Sequence, residues 1–550
     1  MTISPVNVAE HLVRMAAERP EAAAVHAPHR GGYRTLTFRE LNADADALAH
    51  GLAAAGIARG TRTAVMVPPG PDFFALTFAF FKLAAVPVLI DPGMGIKNLG
   101  TCLAEAEPEA FVGIAKAHLA RHLFGWAKKT IHTTVNVGRT RFFCSHSTAQ
   151  LRKRGSPHGS YPKPEVAPDE MAAVLFTSGS TGVAKGAVYT HGIFAAQVEL
   201  LKSTYGIEPG EIDLCTFPLF ALFGPALGMT CVVPKMNPAR PATIDPAKAA
   251  AAIEKFNVTN LFGSPAVIRR LADYGKPLPT LRRAISAGAP ASLDVIDRFS
   301  KLLPPGVEVF TPYGATESLP VANIGSREIL EETRHLTVQG NGVCVGKPVA
   351  GISVSVVRIT DDAIPEWSDS LLASPGEVGE FVVRGPVVTQ SYYNRPEATR
   401  LAKIRDPKTG EVMHRMGDVG YIDEQGRLWF CGRKSHRVET RGGTLFTDMV
   451  EPIFNTAQGV ARTALVGIQG PEYPSAVLCV ERNGVRTWPA VESYLRAIRD
   501  QFSQLDFVAE FLDYPGSFPV DVRHNSKIFR EKLAVWADKE LGTNWTGPSK

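Results

Sequence analysis

The stretch "LFTSGSTGVAKGAVYTH", residues 175–191, joins two apolar runs through a loop of hydroxyls, glycines and one lysine. Glycines let backbone N–H groups curl around an anion, and hydroxyls and an ammonium add further donors. A Walker loop is excluded, because Ala184 precedes the lysine and Gly186 follows it. A flexible surface turn is the alternative, but such turns rarely carry so ordered a donor set. The loop is predicted to bind phosphate through Thr177, Ser178, Gly179, Ser180, Thr181, Gly182 and Lys185.

Strand-like and helix-like segments alternate on both sides of this loop. Such alternation predicts an α/β fold with layered, mostly parallel sheets. From about residue 340 the chain turns to Gly/Val-rich segments, which indicate a β-rich subdomain. A hairpin pattern at 423–438 leads to a boundary, and the remainder is long enough for one small α+β domain. The predicted domains are 1–433 and 434–550. The predicted strands are 64–68, 86–91, 172–178, 213–218 and 259–265, and the predicted helices include 38–55 and 245–256.

Composition excludes several classes of protein. Charged residues make up 21% of 550 residues, and the net charge of +5 is too small for a dedicated nucleic-acid binder. Seven scattered cysteines without Cys-x-x-Cys spacing fit free thiols in a reducing cytoplasm. The N-terminus lacks the pattern of a signal peptide. The most apolar run, from Phe73, is broken by Lys82 and Pro87, so we expect a buried helix and a strand, with no transmembrane segment.

One region departs from this even charge. Residues 110–164 hold ten Lys/Arg and five His but no acid. One interpretation is a solvated, partly mobile excursion. The other is a docking surface for protein partners of the same pathway or for anionic lipid.

Five further motifs carry candidate site residues. "ISAGAP" (285–290) and "TPYGATES" (311–318) place small residues after likely strands, where open α/β sheets bind ligands. In the second, a tyrosine could stack on a purine, a threonine could donate to phosphate, and a carboxylate could hold Mg²⁺. "GDVGYID" offers an acceptor for ribose hydroxyls, "GRKSHRV" a cation for the nucleotide, and "NSKIFR" a terminal lysine. The residues are Gly288, Ala289, Pro290, Tyr313, Gly314, Thr316, Glu317, Asp418, Arg433 and Lys527.

The order of these motifs closely resembles the AMP-forming adenylating superfamily of acyl-CoA synthetases, adenylation domains and firefly luciferase. "LTFREL" (36–41), "KLAAVPVLIDP" (82–92), "YGATE" and the phosphate loop match its motifs along nearly the whole chain. The resemblance implies ATP and Mg²⁺ as cofactors, with the metal on Glu317. It implies a large domain that binds ATP and the acyl substrate, and a mobile C-terminal domain that carries Lys527. It also implies that Lys527, Glu317 and Thr316 are catalytic.

Departures from the superfamily's motifs bear on its second half-reaction, in which the acyl group is transferred from AMP to an acceptor. "FPLFALFG" (217–224) lacks the aromatic-histidine pair that is common there. Arg433 matches the arginine at the superfamily's domain hinge, but Ser435-His436 follows it where an acid is common. The apolar candidates Phe217, Phe220, Leu222 and Phe223 belong either to the core or to a long acyl tunnel. With "HNSKIFREKL", this segment most resembles the β-lactone synthetase branch of bacterial long-chain olefin biosynthesis. That branch implies a long-chain 2-alkyl-3-hydroxy acid, a β-hydroxy acid whose own hydroxyl displaces AMP.

Two rival functions stay open at this point. A long-chain fatty acyl-CoA ligase would share the adenylation step and then transfer the acyl group to a thiol. A nucleotide-binding scaffold without turnover would have no use for Lys527. The base that removes the hydroxyl proton is not identified by the sequence; His191, which follows the phosphate loop, is expected to be structural.

Overall fold

The computed structural model describes residues 6–29, 31–177, 184–217, 223–470, 473–520 and 528–542. Helices and strands alternate along most of this length, as the sequence predicts. The described helices are Ala9–Glu18, Phe38–Ala54, Pro71–Leu83, Ile96–Ala106, Ala115–Phe124, Thr148–Gly155, His191–Tyr205, Pro246–Phe256, Pro265–Tyr274, Leu293–Ser300, Ser326–Glu328, Arg334–Thr337, Pro396–Ala402, Thr447–Phe454, Trp488–Arg499 and Arg530–Leu541.

The phosphate-loop stretch belongs to a sheet in which seven strands are described. Its strands run parallel, except that the last pairs antiparallel with its neighbour. Parallel strands are covered on both faces, which explains why the penultimate strand, "MAAVLF", is an unbroken apolar run. In spatial order the strands are His146–Ser147, Thr133–Asn136, Ala110–Gly113, Arg62–Met66, Val86–Leu89, Met171–Phe176 and Gly186–Thr190.

The acid-free segment 110–164 is an integral part of this sheet. It supplies three of the strands and the helices Ala115–Phe124 and Thr148–Gly155. The segment is therefore part of the folded sheet and not an excursion from it, although most of its cations are exposed to solvent.

A larger sheet carries the remaining motifs. Five consecutive pairings, from Ala23–His29 to Val309–Ala315, are parallel, and the pairings beyond them are antiparallel. The predicted β-rich subdomain is present, and its strands extend this sheet. In spatial order the strands are Ser353–Val357, Gly379–Arg384, Val412–Ile422, Leu428–Arg433, Val343–Pro348, Ser318–Gly325, Val309–Ala315, Arg283–Ser286, Asn260–Gly263, Ile212–Cys215, Thr230–Val232, Ala23–His29 and Gly32–Thr37, with Lys403–Arg405 beside Val412–Ile422.

The helix Pro71–Leu83 is buried along almost its whole length, as its apolar sequence predicts. Proline at its start costs no hydrogen bond, since the first N–H groups of a helix have no partner within it. Its one interior cation, Lys82, is buried in an ion pair with Asp46. Among the described residues, no helix is long and apolar enough to cross a bilayer.

The chain after residue 434 forms separate hydrophobic clusters. A three-stranded sheet of Val460–Ile468, Ser475–Arg482 and Val508–Asp513 is covered by helices, and a short hairpin of Val438–Thr440 and Gly443–Leu445 precedes it. The two apolar clusters on the faces of this sheet draw all their members from residue 438 onward. The predicted small α+β unit is therefore present.

Candidate active site

One cavity of about 1370 Å³ brings most of the predicted site together. Its walls come from the phosphate-loop hairpin, from the carboxyl ends of the parallel strands of the large sheet, and from the C-terminal unit. Open α/β sheets bind ligands at this end of their strands. The predicted residues that line it are Thr177, Lys185, Phe217, Phe223, Gly288, Ala289, Pro290, Tyr313, Gly314, Thr316, Glu317, Asp418 and Arg433.

The two ends of the phosphate loop are hydrogen-bonded to each other. The backbone N–H of Thr177 donates to the carbonyl of Lys185 at 3.0 Å, which continues the pairing of the flanking strands. The Lys185 ammonium lies 5.1 Å from the centre of the Tyr392 ring. Ser178, Gly179, Ser180, Thr181 and Gly182 lie outside the described residues, so their predicted contacts with phosphate stay predictions.

Glu317 sits in the tight connection between two strands of the large sheet, and Tyr392 holds its carboxylate. The Tyr392 hydroxyl donates to Oε1 of Glu317 at 2.5 Å. Burial, reinforced by the Glu317 charge, raises the pKa of Tyr392, so the phenol keeps its proton and remains a donor. Sequence reasoning missed Tyr392, which lies 75 residues from its partner in the chain.

The backbone around Glu317 is fixed from both sides. The Tyr189 hydroxyl donates to the carbonyl of Thr316 at 2.6 Å, and Thr389 donates its N–H and its hydroxyl to the carbonyl of Glu317 at 2.9 and 3.1 Å. Lys403 lies behind this group and donates to the Thr389 hydroxyl at 3.0 Å. Burial lowers the pKa of Lys403 to about 7, and Glu317 opposes that change. These contacts hold Glu317 in one position.

A magnesium ion fits this carboxylate. Among the described residues, no three His, Cys, Asp or Glu side chains come together as a protein-built metal cage. Mg²⁺ does not require one, because it is commonly held by one or two carboxylates together with phosphate oxygens and water. Glu317, next to the phosphate loop, supplies such a carboxylate.

Asp418 is the centre of a second cluster. It lies directly opposite Arg433 across a hairpin, and Arg433 Nη1 is 2.7 Å from its Oδ1. The Tyr313 hydroxyl donates to Oδ2 at 2.6 Å. Asp418 raises the pKa of Arg433, so this half-buried guanidinium keeps its charge. The sequence predicts each of these residues separately, and the structure joins them in one network; stacking of Tyr313 on a purine stays a prediction.

The segment Gly288–Pro290 forms a turn just beyond the strand Arg283–Ser286. Gly288 has φ 95°, a left-handed conformation that side chains other than glycine rarely adopt. The turn lines the cavity beside the end of the strand.

The apolar part of the cavity is lined by more aromatic residues than the sequence predicts. Phe217 and Phe223 both line it, which favours the tunnel interpretation, whereas Phe220 and Leu222 lie outside the described residues. Further aromatic residues join them from distant elements, and no local motif marks these as pocket residues. They are Phe80, Phe81, Phe194 and Phe262.

The three described histidines at or near the site are weak bases. His414 lines the cavity and is buried, and burial holds its pKa well below its usual range. His191 is buried against Phe81, is not among the residues that line the cavity, and burial lowers its pKa to about 4. His436, three residues after Arg433, lines the cavity, and burial lowers its pKa to about 4 as well. All three rings are therefore neutral near pH 7 and bind a proton only weakly. The base for ring closure is not identified by this geometry.

Lys527 lies outside the described residues, which resume just after it and include Arg530. Its guanidinium contacts both carboxylate oxygens of Glu451, at 2.6 and 2.7 Å. Both side chains line the cavity. The C-terminal unit therefore contributes to the cavity wall through a residue only three positions after Lys527.

Comparison with known proteins agrees with this geometry. A sequence profile described as AMP-binding enzyme matches residues 12–393. An olefin beta-lactone synthetase of Stenotrophomonas maltophilia is 51% identical over 98% of this chain and 99% of its own. Another, from Xanthomonas campestris pv. campestris, is 51% identical over 97% of this chain and 98% of its own.

Solved structures share the fold at much lower identity. An amide bond synthetase from Marinactinospora thermotolerans matches 96% of this chain and 100% of its own with a TM-score of 0.78 and 22% identity. The o-succinylbenzoate coenzyme A synthetase of Bacillus subtilis, in complex with ATP and magnesium ion, matches 95% of this chain and 98% of its own, with a TM-score of 0.74 and 20% identity.

Proposed function

This chain belongs to the AMP-binding enzyme family, and on that premise we propose that it activates a long-chain 2-alkyl-3-hydroxy acid with ATP and closes it to a β-lactone. A carboxylate oxygen attacks the α-phosphorus, the bond to the β-phosphate breaks, and pyrophosphate leaves. The 3-hydroxyl oxygen then attacks the acyl carbon, the bond to AMP breaks, and the hydroxyl proton passes to a base. The products are the lactone, AMP and pyrophosphate.

The two charged clusters of the cavity suit the first step. Carboxylate and triphosphate repel each other, so the site must neutralise charge before they can react. We assign the phosphate loop and Lys185 to the β- and γ-phosphates, and Asp418, with Arg433, to the ribose. Mg²⁺ on Glu317 would neutralise phosphate charge when bound. The o-succinylbenzoate coenzyme A synthetase of Bacillus subtilis, which shares this fold, is known in complex with ATP and magnesium ion and supports the same cofactors here.

We propose that the domain boundary lies at 433/434 and that the C-terminal domain moves to present Lys527 to the attacking carboxylate. Support comes from the apolar clusters of that domain, which draw all their members from residue 438 onward. Support also comes from Arg530, which lies in the cavity wall three residues after the lysine. Closure of a domain commonly completes a catalytic site.

The observation that supports the second step is a single cavity in which aromatic side chains lie beside the clusters around Glu317 and Asp418. The chain is also 51% identical to olefin beta-lactone synthetases over nearly its whole length. A substrate hydroxyl held next to its own acyl-adenylate has an effective molarity on the order of 10⁵ M or more. That advantage offsets much of the strain of a four-membered ring. An apolar wall also keeps water from the adenylate.

Two lesser assignments accompany this function. All seven cysteines are free, which supports the proposal of a reducing cytoplasm. For segment 110–164 we retain a docking role, with one correction: Arg152 is paired with Asp44 and Asp72, and Lys163 with Glu10. Those two cations already serve the fold. The docking role therefore falls to the other basic residues of the segment.

Product analysis separates the lactone synthetase from an acyl-CoA ligase. The enzyme receives ATP, Mg²⁺ and a 3-hydroxy acid or the matching acid without the hydroxyl, each with and without CoA. We expect lactone and stoichiometric AMP from the hydroxy acid alone, whereas the other acid stalls as adenylate. A CoA thioester as the main product would overturn the lactone step and leave adenylation intact.

A further inference from the structure

Large apolar side chains are exposed together at one edge of the seven-stranded sheet. The helix Ala115–Phe124 exposes Leu123 by 69% and Phe124 by 50%. The loop after the neighbouring strand exposes Phe143 by 97%, and Phe142 beside it is also exposed. Both loop residues have left-handed backbone angles, φ 44° and 55°, which bulky residues rarely adopt. The fold thus holds aromatic rings in water at some cost.

The helix and the loop lie side by side. Ser145 donates its N–H to the Thr134 hydroxyl at 2.9 Å, so the loop returns along the strand Thr133–Asn136. The helix packs on the same strand, because His118 Nε2 lies 3.0 Å from the Val135 carbonyl. Phe143 lies two residues before Ser145 in the chain. Its ring and the apolar residues of the helix therefore belong to one surface, which we call the apolar edge: Leu119, Leu123, Phe124, Phe142 and Phe143.

Cations surround the apolar edge, and no acid lies between residues 110 and 164. Among the described residues, only Arg152 and Lys163 of the ten Lys/Arg in this segment form ion pairs with acids. The exposed cations on the helix, on the turn that follows it and on the loop are Lys116, Lys128, Lys129, Arg139 and Arg141. The neighbouring acid Glu109, whose carbonyl accepts the His132 N–H, is paired with Arg62. An apolar centre among exposed cations is complementary to a surface of anionic headgroups above hydrocarbon.

We infer that the apolar edge docks this enzyme on an anionic lipid bilayer, with Phe143, Leu123 and Phe124 inserted at the headgroup boundary. The side chains protrude from two elements, which suits a soft surface better than a shaped protein pocket. The inference rests in part on the proposed function, because an acid with two long alkyl chains partitions into lipid. Docking would place the enzyme where that substrate concentrates.

Flotation with lipid vesicles tests this inference. The full chain is mixed with vesicles of phosphatidylcholine alone, or of three parts phosphatidylcholine to one part phosphatidylglycerol. We expect binding to the anionic vesicles and little to the neutral ones. Binding should weaken as salt rises from 0.1 to 1 M, because the Debye length falls from about 10 to about 3 Å. Equal binding to both vesicles, or none to either, would overturn the inference.

Two paired variants locate the contact. Leu123→Ser/Phe143→Ser should reduce partition into anionic vesicles about tenfold or more, and so should Lys128→Glu/Lys129→Glu. The matched controls change exposed residues elsewhere and should bind as wild type: Val485→Ser/Val535→Ser and Lys235→Glu/Lys408→Glu. If an edge variant floats like wild type, the surface has been assigned wrongly.

Two further measurements keep the outcome specific. Turnover of a short, water-soluble 3-hydroxy acid should be the same in the edge variants and wild type, which shows that they are folded and tests the proposed function without lipid. Sedimentation velocity without lipid should also be the same. A larger wild-type species that the Leu123→Ser/Phe143→Ser variant loses would assign the edge to a second copy of this chain and overturn lipid docking.

Discussion

Replacing Tyr392 by phenylalanine tests whether the buried hydroxyl positions the carboxylate of Glu317. The variant removes one oxygen, the donor of a 2.5 Å hydrogen bond to that carboxylate. The ring remains, so its contacts with the ammonium groups of Lys185 and Lys403, at 5.1 and 5.9 Å from its centre, persist. A hydrogen bond to a charged group contributes about 1.5–3 kcal/mol. At 1.4 kcal/mol per tenfold change, we expect a loss of about 10- to 150-fold.

The loss should appear in the step that uses Mg²⁺. Exchange of pyrophosphate into ATP, measured across a Mg²⁺ titration, should show a higher half-saturating concentration, and excess Mg²⁺ should recover part of the rate. Measured by calorimetry, the variant should bind ATP more weakly than wild type when Mg²⁺ is present, and with the same affinity as wild type when Mg²⁺ is absent. Tyr393→Phe is the matched control, since that ring lies under Arg62. A Tyr392→Phe enzyme with the wild-type Mg²⁺ dependence would refute the positioning role.

Three other variants test separate parts of the account. Lys527→Ala should slow pyrophosphate release from acid and ATP by about 10²–10³-fold while ATP affinity stays near wild type, because its charge acts in the transition state; unchanged turnover would reject the assignment. Asp418→Asn should weaken ATP binding in equilibrium dialysis by about tenfold or more, and an unaltered affinity would argue against a ribose contact. His191→Leu addresses stability: the pKa of His191 is lowered to about 4 from its ordinary 6.5, so the unfolded chain takes up this proton first as pH falls, and stability declines between those values. Urea unfolding at pH 7 and pH 5 should show a fall in stability that is smaller in the variant by up to about 1.4 kcal/mol per pH unit; an equal fall would show that His191 is not the group responsible.

The elements that the sequence predicts correctly are those whose pattern lies in consecutive residues. The run "MAAVLF" is apolar at every position because a parallel strand is covered on both faces, and the helix Pro71–Leu83 is apolar all round because it is buried. The phosphate loop and "YGATE" are also recognisable from the sequence, because their glycines and donors are consecutive in the chain.

What the sequence did not disclose depends on contacts between distant segments. Tyr392 reaches Glu317 across 75 residues, and Asp418 receives the Tyr313 hydroxyl across 105 residues. Nothing adjacent to Tyr392 distinguishes it from its neighbour Tyr393. The sequence leaves two interpretations of segment 110–164 open for a related reason. Its excess of cations lies on the solvent-exposed side, whereas its short strands are buried in the sheet.

Isotope transfer tests the central claim most directly. A 3-hydroxy acid labelled with ¹⁸O in both carboxylate oxygens is converted with ATP, and the AMP and lactone are analysed by mass spectrometry. If the carboxylate is adenylated and the hydroxyl then displaces AMP, one label appears in AMP and one stays in the lactone carbonyl. If the hydroxyl is activated instead and the carboxylate displaces it, AMP carries no label and the lactone keeps both, which would contradict the account.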